Sequence, residues 1–147
     1  MKKDYALAIS RLVKKYYTKE MQGLQLAMCN YGFAYSYEYK AILVPKSKDE
    51  DDYKWEDWMY SFLRDQYDLC IKTEKEMDIF SLLHEIGHHM NRKTFDPMTY
   101  KKLVDEIDEE DYMTYRELPD EQLADEWAVG FIKEHYDELV NIDNKLN

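Results

Sequence analysis

Three of the chain's four histidines fall within six residues, at His84, His88 and His89. The first two frame a glutamate in the pattern His84-Glu85-x-x-His88. On an α-helix, residues four apart share a face with Cβ atoms about 5–6 Å apart. Both imidazoles can therefore converge on one Zn²⁺ at Zn–N distances of roughly 2.0–2.1 Å. Glu85 lies about 100° around the helix from His84, beside the metal rather than on it. There it can take a proton from an attacking water and pass it to a leaving amine. His89 projects away from His88 by a similar angle, so it is expected to stay off the metal, either supporting the site from behind or lying at the surface. His135, isolated between Glu134 and Tyr136, reads as a solvated side chain.

A catalytic zinc site needs three protein ligands and an open position. No further histidine follows at H-E-x-x-H-x-x-G-x-x-H spacing, so the third ligand is expected to be a carboxylate. The chain offers 31 Asp and Glu residues. Glu121 is the candidate because it sits at the edge of an apolar stripe formed by Leu123, Ala124, Trp127, Ala128 and Phe131. Asp125 lies one helical turn further on that edge, where it can accept the second ring N–H of a ligand histidine and so fix its tautomer. If Glu121 is not the ligand, Asp125 and Glu126 are next in line.

The elements that must position these residues follow from periodicity and punctuation. Leu82, Leu83, Ile86 and Met90 give the histidine segment a buried helical face. Thr73, with Glu76 three residues on, has capping-box spacing ahead of a helix running from Met77 through Met90. Gly87 costs that helix about 1 kcal/mol relative to alanine, which predicts close approach of another element at this turn. Pro119 and Asp120 open a helix over 119–136, and Pro97 starts one near 98–107. Residues 4–22 are helical in pattern, with Gly23 loosening or ending the helix. Residues 31–45 alternate at Tyr35, Tyr37 and Tyr39 and predict one or two paired strands ending at Pro45. A polar loop is expected at 46–54, a short helix at 55–66 and a strand at 67–72. The sum is α+β, mostly helices with a small sheet.

The length of 147 residues predicts one domain spanning 1–147. A net charge of −11 argues against direct nucleic-acid binding through phosphates. At 45% hydrophobic and 15% aromatic content the chain is not a disordered acidic tail. No apolar run is long enough to span a membrane, and nothing like a signal peptide follows Met1. Cys29 and Cys70 form no CxxC and read as reduced, half-buried thiols of a cytoplasmic protein. The acidic runs at 49–52 and 105–111 read as solvated loop or helix faces that could also steer a basic partner. Tyr112 and Tyr115, between the two motif segments, could donate to an oxyanion.

His84-Glu85-Ile86-Gly87-His88-His89 followed by Glu121-x-x-Ala124-Asp125-x-Trp127-Ala128 resembles the ImmA/IrrE-type zinc metallopeptidases of bacteria and their mobile elements. That family pairs an H-E-x-x-H helix with a downstream E-x-x-A-[ND]-x-F-A helix. The resemblance is strongest over 80–92 and 118–132. It implies a zincin-like domain, Zn²⁺ held by His84, His88 and Glu121, and Glu85 as general base in peptide-bond hydrolysis. It also implies a protein substrate, since members cleave DNA-binding repressors; a basic repressor would suit an acidic chain. Three departures stand out. Trp127 replaces the usual Phe, residues 129–136 lack the family's Leu-Leu-Met-Pro type of ending, and no helix-turn-helix or sensor domain is expected. Two other readings compete. One is a non-catalytic interaction module that keeps zinc as a clamp. The other is an acidic decoy of a nucleic-acid-binding protein, with the motif incidental.

Overall fold

Apolar residues at helical spacing bury one side of α1 (Lys3–Tyr16) through Tyr5, Ala6, Ile9 and Val13. The helix stops well short of residue 22. Residues 17–23 pass through turns, and Gly23 takes the left-handed region at φ +80° in the connection rather than at the helix end. The computed structural model describes residues 1–146.

The connection leads into β1 (Gln25–Cys29), a strand the sequence pattern does not announce, because its polar and apolar residues do not alternate. β2 (Ala34–Ser36) and β3 (Ala41–Pro45) form the expected pair, which is antiparallel, with Ala34 opposite Leu43 and Ser36 opposite Ala41. β1 pairs in parallel with the other edge of β3, Gln25 opposite Ala41 and Cys29 opposite Pro45, so the order is β1-β3-β2. β3 is the central and most buried strand. It ends at Pro45 as its punctuation predicts, and the Lys46 N–H donates to Cys29 O at 3.0 Å just beyond it.

The polar run 46–54 is only partly a loop. Asp49 and Asp52 each accept the other's backbone N–H at 2.9 Å, a reciprocal cap that starts α2 (Glu50–Tyr67) earlier than the apolar pattern indicates. Acids in a first turn suit the helix dipole, which is why a charge run here becomes helix. The strand expected at 67–72 does not form. Asp68 takes a left-handed C-cap, and the Leu69 N–H returns to Leu63 O at 3.2 Å. The apolar residues of this run thus close a helix end rather than join the sheet.

Thr73 caps α3 (Glu74–Met90) as expected, its hydroxyl accepting from Glu76 N at 3.1 Å. The Glu76 carboxylate returns to Lys72 N rather than to Thr73 N. Met77, Phe80, Leu82, Leu83 and Ile86 make α3 the buried axis of the molecule. α4 (Pro97–Glu106) buries no residue and begins at its proline. α5 (Tyr112–Arg116) and α7 (Tyr136–Leu146) are additional to the sequence expectation. α6 (Pro119–Glu134) lies across α3, and α7 packs on α1. The architecture is α+β, mostly helical with a small mixed sheet. Among the described residues, no helix is long and apolar enough to cross a membrane.

Candidate metal centre

The α3–α6 contact is set by one glycine. A Cβ at Gly87 would meet Ala124 O at 2.8 Å and Ala124 Cα at 3.0 Å, so α6 lies directly against the α3 backbone. The close approach expected of Gly87 is therefore present, and its partner is the helix that carries Glu121. His84 and His88, one turn apart on α3, are both buried beside that contact. Glu121 enters from the first turn of α6, which Pro119 opens.

The three side chains meet. His84 Nε2 lies 2.7 Å from Glu121 Oε2, and His88 Nε2 lies 3.2 Å from Glu121 Oε1. One carboxylate thus engages both imidazoles, whose centroids are 4.7 Å apart at 88°. His84 Nδ1 is 2.7 Å from Asp125 Oδ1, the position expected for the residue that fixes the ring. Asp125 is fully buried. Glu85 Oε1 stands 4.0 Å from His84 Nε2, turned toward the cleft. The donor atoms of His84, Glu85 and His88 lie within 4.8 Å of one another, as do those of His88, Asp120 and Glu121. These buried groupings could hold a metal ion. Glu126 is exposed and takes no part.

Burial and charge act against each other here. Burial alone would lower the His84 pKa, but Glu121 and Asp125 overcome it and raise it to about 10. Burial would raise that of Glu121, yet the His84 and His88 rings hold its carboxyl well below the usual range. Glu85 is pushed up, first by burial, with the histidine rings opposing. Asp120 is raised by burial and then by Glu121.

Sequence reasoning missed Arg116, which reaches the site from α5. Its Nε and Nη2 donate to Asp125 Oδ2 and Oδ1 at 3.1 and 3.0 Å, and Nη2 also donates to Glu121 Oε2 at 2.9 Å. Its residue spacing carries no signal. The available clue was electrostatic: carboxylates on the buried edge of one helix require a compensating cation. Tyr37 OH, on the segment after β2, lies 3.4 Å from His88 Nδ1. Of the two tyrosines considered, Tyr115 lines the cleft together with Glu121, whereas Tyr112 packs against Trp58.

The structure removes one of the two alternatives for His89 and overturns the expectation for His135. His89 is completely buried rather than at the surface: its Nε2–H donates to Glu20 O at 2.8 Å, and Tyr35 OH donates to Nδ1 at 2.8 Å. It ties α3 to β2 and to the turn after α1. His135 is also buried, packed between Tyr16 and Phe131 with Nδ1 3.1 Å from Glu138 Oε1. It is not a solvated side chain because Tyr16 of α1 and Phe131 of α6 enclose its ring. Both cysteines are free; Cys29 is half-buried and Cys70 is exposed.

Compared with protein-family models, curated proteins and solved structures, the chain finds no match. The function must therefore be argued from the site itself.

A cleft of about 220 Å³ opens against it, and His84, Glu85, Tyr115, Arg116 and Glu121 form one wall. Glu85 thus stands between the candidate ligands and space that a substrate could enter.

Proposed function

We propose that the chain is a zinc-dependent peptidase of the ImmA/IrrE type with a zincin-like fold, hydrolysing a peptide bond in a protein substrate. The observation that carries this reading is the Glu121 carboxylate in contact with both motif histidines. Spacing alone predicts only that the two histidines share a face. Two imidazole nitrogens and a carboxylate oxygen match the donors of a catalytic zinc site. Donors bonded to one tetrahedral zinc at ~2.0 Å sit roughly 3.3 Å apart. The His88–Glu121 pair has that spacing at 3.2 Å, and the His84–Glu121 pair at 2.7 Å must open slightly. His84, His88 and Glu121 are the ligands.

Zinc in this position supplies Lewis acidity, polarising a carbonyl and lowering the pKa of water toward neutrality. Glu85 takes the proton of the attacking water and delivers it to the leaving amine. Burial that raises its pKa suits a group that must hold and then release a proton near neutral pH. Asp125 keeps the His84 ring oriented with Nε2 facing Glu121.

A DNA-binding repressor is the substrate class that the motif resemblance implies, and a basic one complements the −11 charge. The free thiols fit a cytoplasmic setting. The open cleft beside Glu85 favours turnover over a closed structural clamp. Glu85→Gln tests the mechanism: it should retain zinc and lower hydrolysis of a repressor substrate by about 10²–10⁴-fold. Undiminished cleavage would remove Glu85 from the reaction.

A further inference from the structure

The cleft continues along α3 beyond the metal centre. Its far end is walled by Phe33, Trp55 and Phe80, with Lys48, Glu56 and Ser81 among them. Lys48 Nζ lies 2.5 Å from Glu56 Oε1, 2.5 Å from Asp78 Oδ1 and 3.3 Å from Glu74 Oε1. Asp52 also lines the wall. Three carboxylates therefore surround one ammonium, and with Asp52 beside Glu56 on the cleft wall the compartment is negative despite its lysine.

Ser81 adds an independent observation. It is 5% exposed, lines the cleft, and its hydroxyl has no hydrogen-bond partner among the described residues. A helical serine commonly bonds the carbonyl four residues back, but this one does not. Leaving such a group unpaired is unfavourable, so a polar atom arriving beside it would be favoured. An acidic side chain would be repelled by the carboxylates. An aliphatic one would suit the aromatic walls but leave Ser81 unpaired. A planar cation on an apolar stem satisfies all three features, stacking on aromatic faces while donating to Ser81 and the carboxylates. Burial raises the pKa of Glu56 even with Lys48 beside it, so an incoming cation also relieves a strained carboxylate.

We infer that the far end of the cleft is a subsite for an arginine side chain of the substrate, next to the bond to be cleaved. The inference rests on the peptidase reading in taking the occupant to be a substrate residue.

Its test reads binding rather than turnover. Acetyl-Ala-Arg-Ala-amide and its norleucine counterpart are titrated into the full chain supplied with zinc, in the Glu85→Gln background. The Trp55 indole NMR signal, assigned by Trp55→Leu, reports occupancy. The arginine peptide should bind about tenfold more tightly and move that signal, and Ser81→Ala and Phe33→Leu, which both keep the Trp55 reporter, should each reduce the preference several-fold. Equal affinities, no saturable binding of the arginine peptide, or a preference that survives both substitutions would overturn the subsite. The two readings fail separately. A wild-type chain that cleaves repressors without regard to arginine sinks the subsite alone. Arginine-selective binding to a chain without hydrolytic activity sinks the peptidase reading and leaves the subsite standing.

Discussion

Arg116 shows how the candidate site can exist before any metal arrives. Glu121 and Asp125 are both buried on one edge of α6, and their mutual repulsion is offset by a guanidinium hydrogen-bonded to each. Removing one partner of a buried ion pair costs about 3–5 kcal/mol. Arg116→Gln should therefore destabilise the metal-free chain by about that amount in chemical denaturation. The zinc-loaded chain should lose less, because the metal supplies a substitute positive charge. Equal losses in the two states would mean that Arg116 holds α5 in place and does nothing for the ligands. At this scale the sequence showed His84, Glu85 and His88 because their spacing has a mechanical meaning on any helix. Glu121 and Asp125 stood out among so many acids only beside the histidine motif, one turn apart on the edge of an apolar stripe. Arg116 and Tyr37 were invisible, since each meets the site only through tertiary packing.

At the scale of elements, the site is an intersection of two helices, and Gly87 sets their separation. Gly87→Ala puts a Cβ at 2.8 Å from Ala124 O, a contact with backbone that no side-chain rotation relieves. Forcing α3 and α6 apart should cost about 1–3 kcal/mol. It should also weaken zinc binding, because the histidines and Glu121 lie on opposite sides of that contact. A Gly87→Ala chain with native stability and native zinc affinity in chelator competition would contradict this. α3 and α6 were legible from capping residues, proline and apolar period, all of which act locally. β1 and α7 were not. β1 gains its stability from pairing with β3, and α7 from packing on α1 and α6. The run at 67–72 misled because apolar residues that seal a helix end look like a short strand.

Across the whole molecule the negative charge has two parts. A few carboxylates are buried at the metal centre and around Lys48, while the runs expected to be solvated lie exposed at the start of α2 and at the end of α4. Exposed charge acts at a distance and is screened by salt. If it steers a basic repressor to the cleft, cleavage at low substrate concentration should slow markedly as salt rises from about 0.05 to 0.5 M, because the Debye length shrinks from roughly 14 to 4 Å. A rate indifferent to ionic strength would confine electrostatics to the cleft itself. Whole-chain charge was readable from composition. Its division between surface and site was not, because burial is decided by the fold.

The peptidase reading depends on a metal held by His84, His88 and Glu121. The most direct measurement is the zinc content of the purified full chain beside that of Glu121→Ala, with both shown to be folded. The wild type is expected to carry stoichiometric zinc, and the variant to lose most of it under mild chelation. A wild type without zinc after exposure to the metal, or a variant that retains it as tightly, would contradict the assignment.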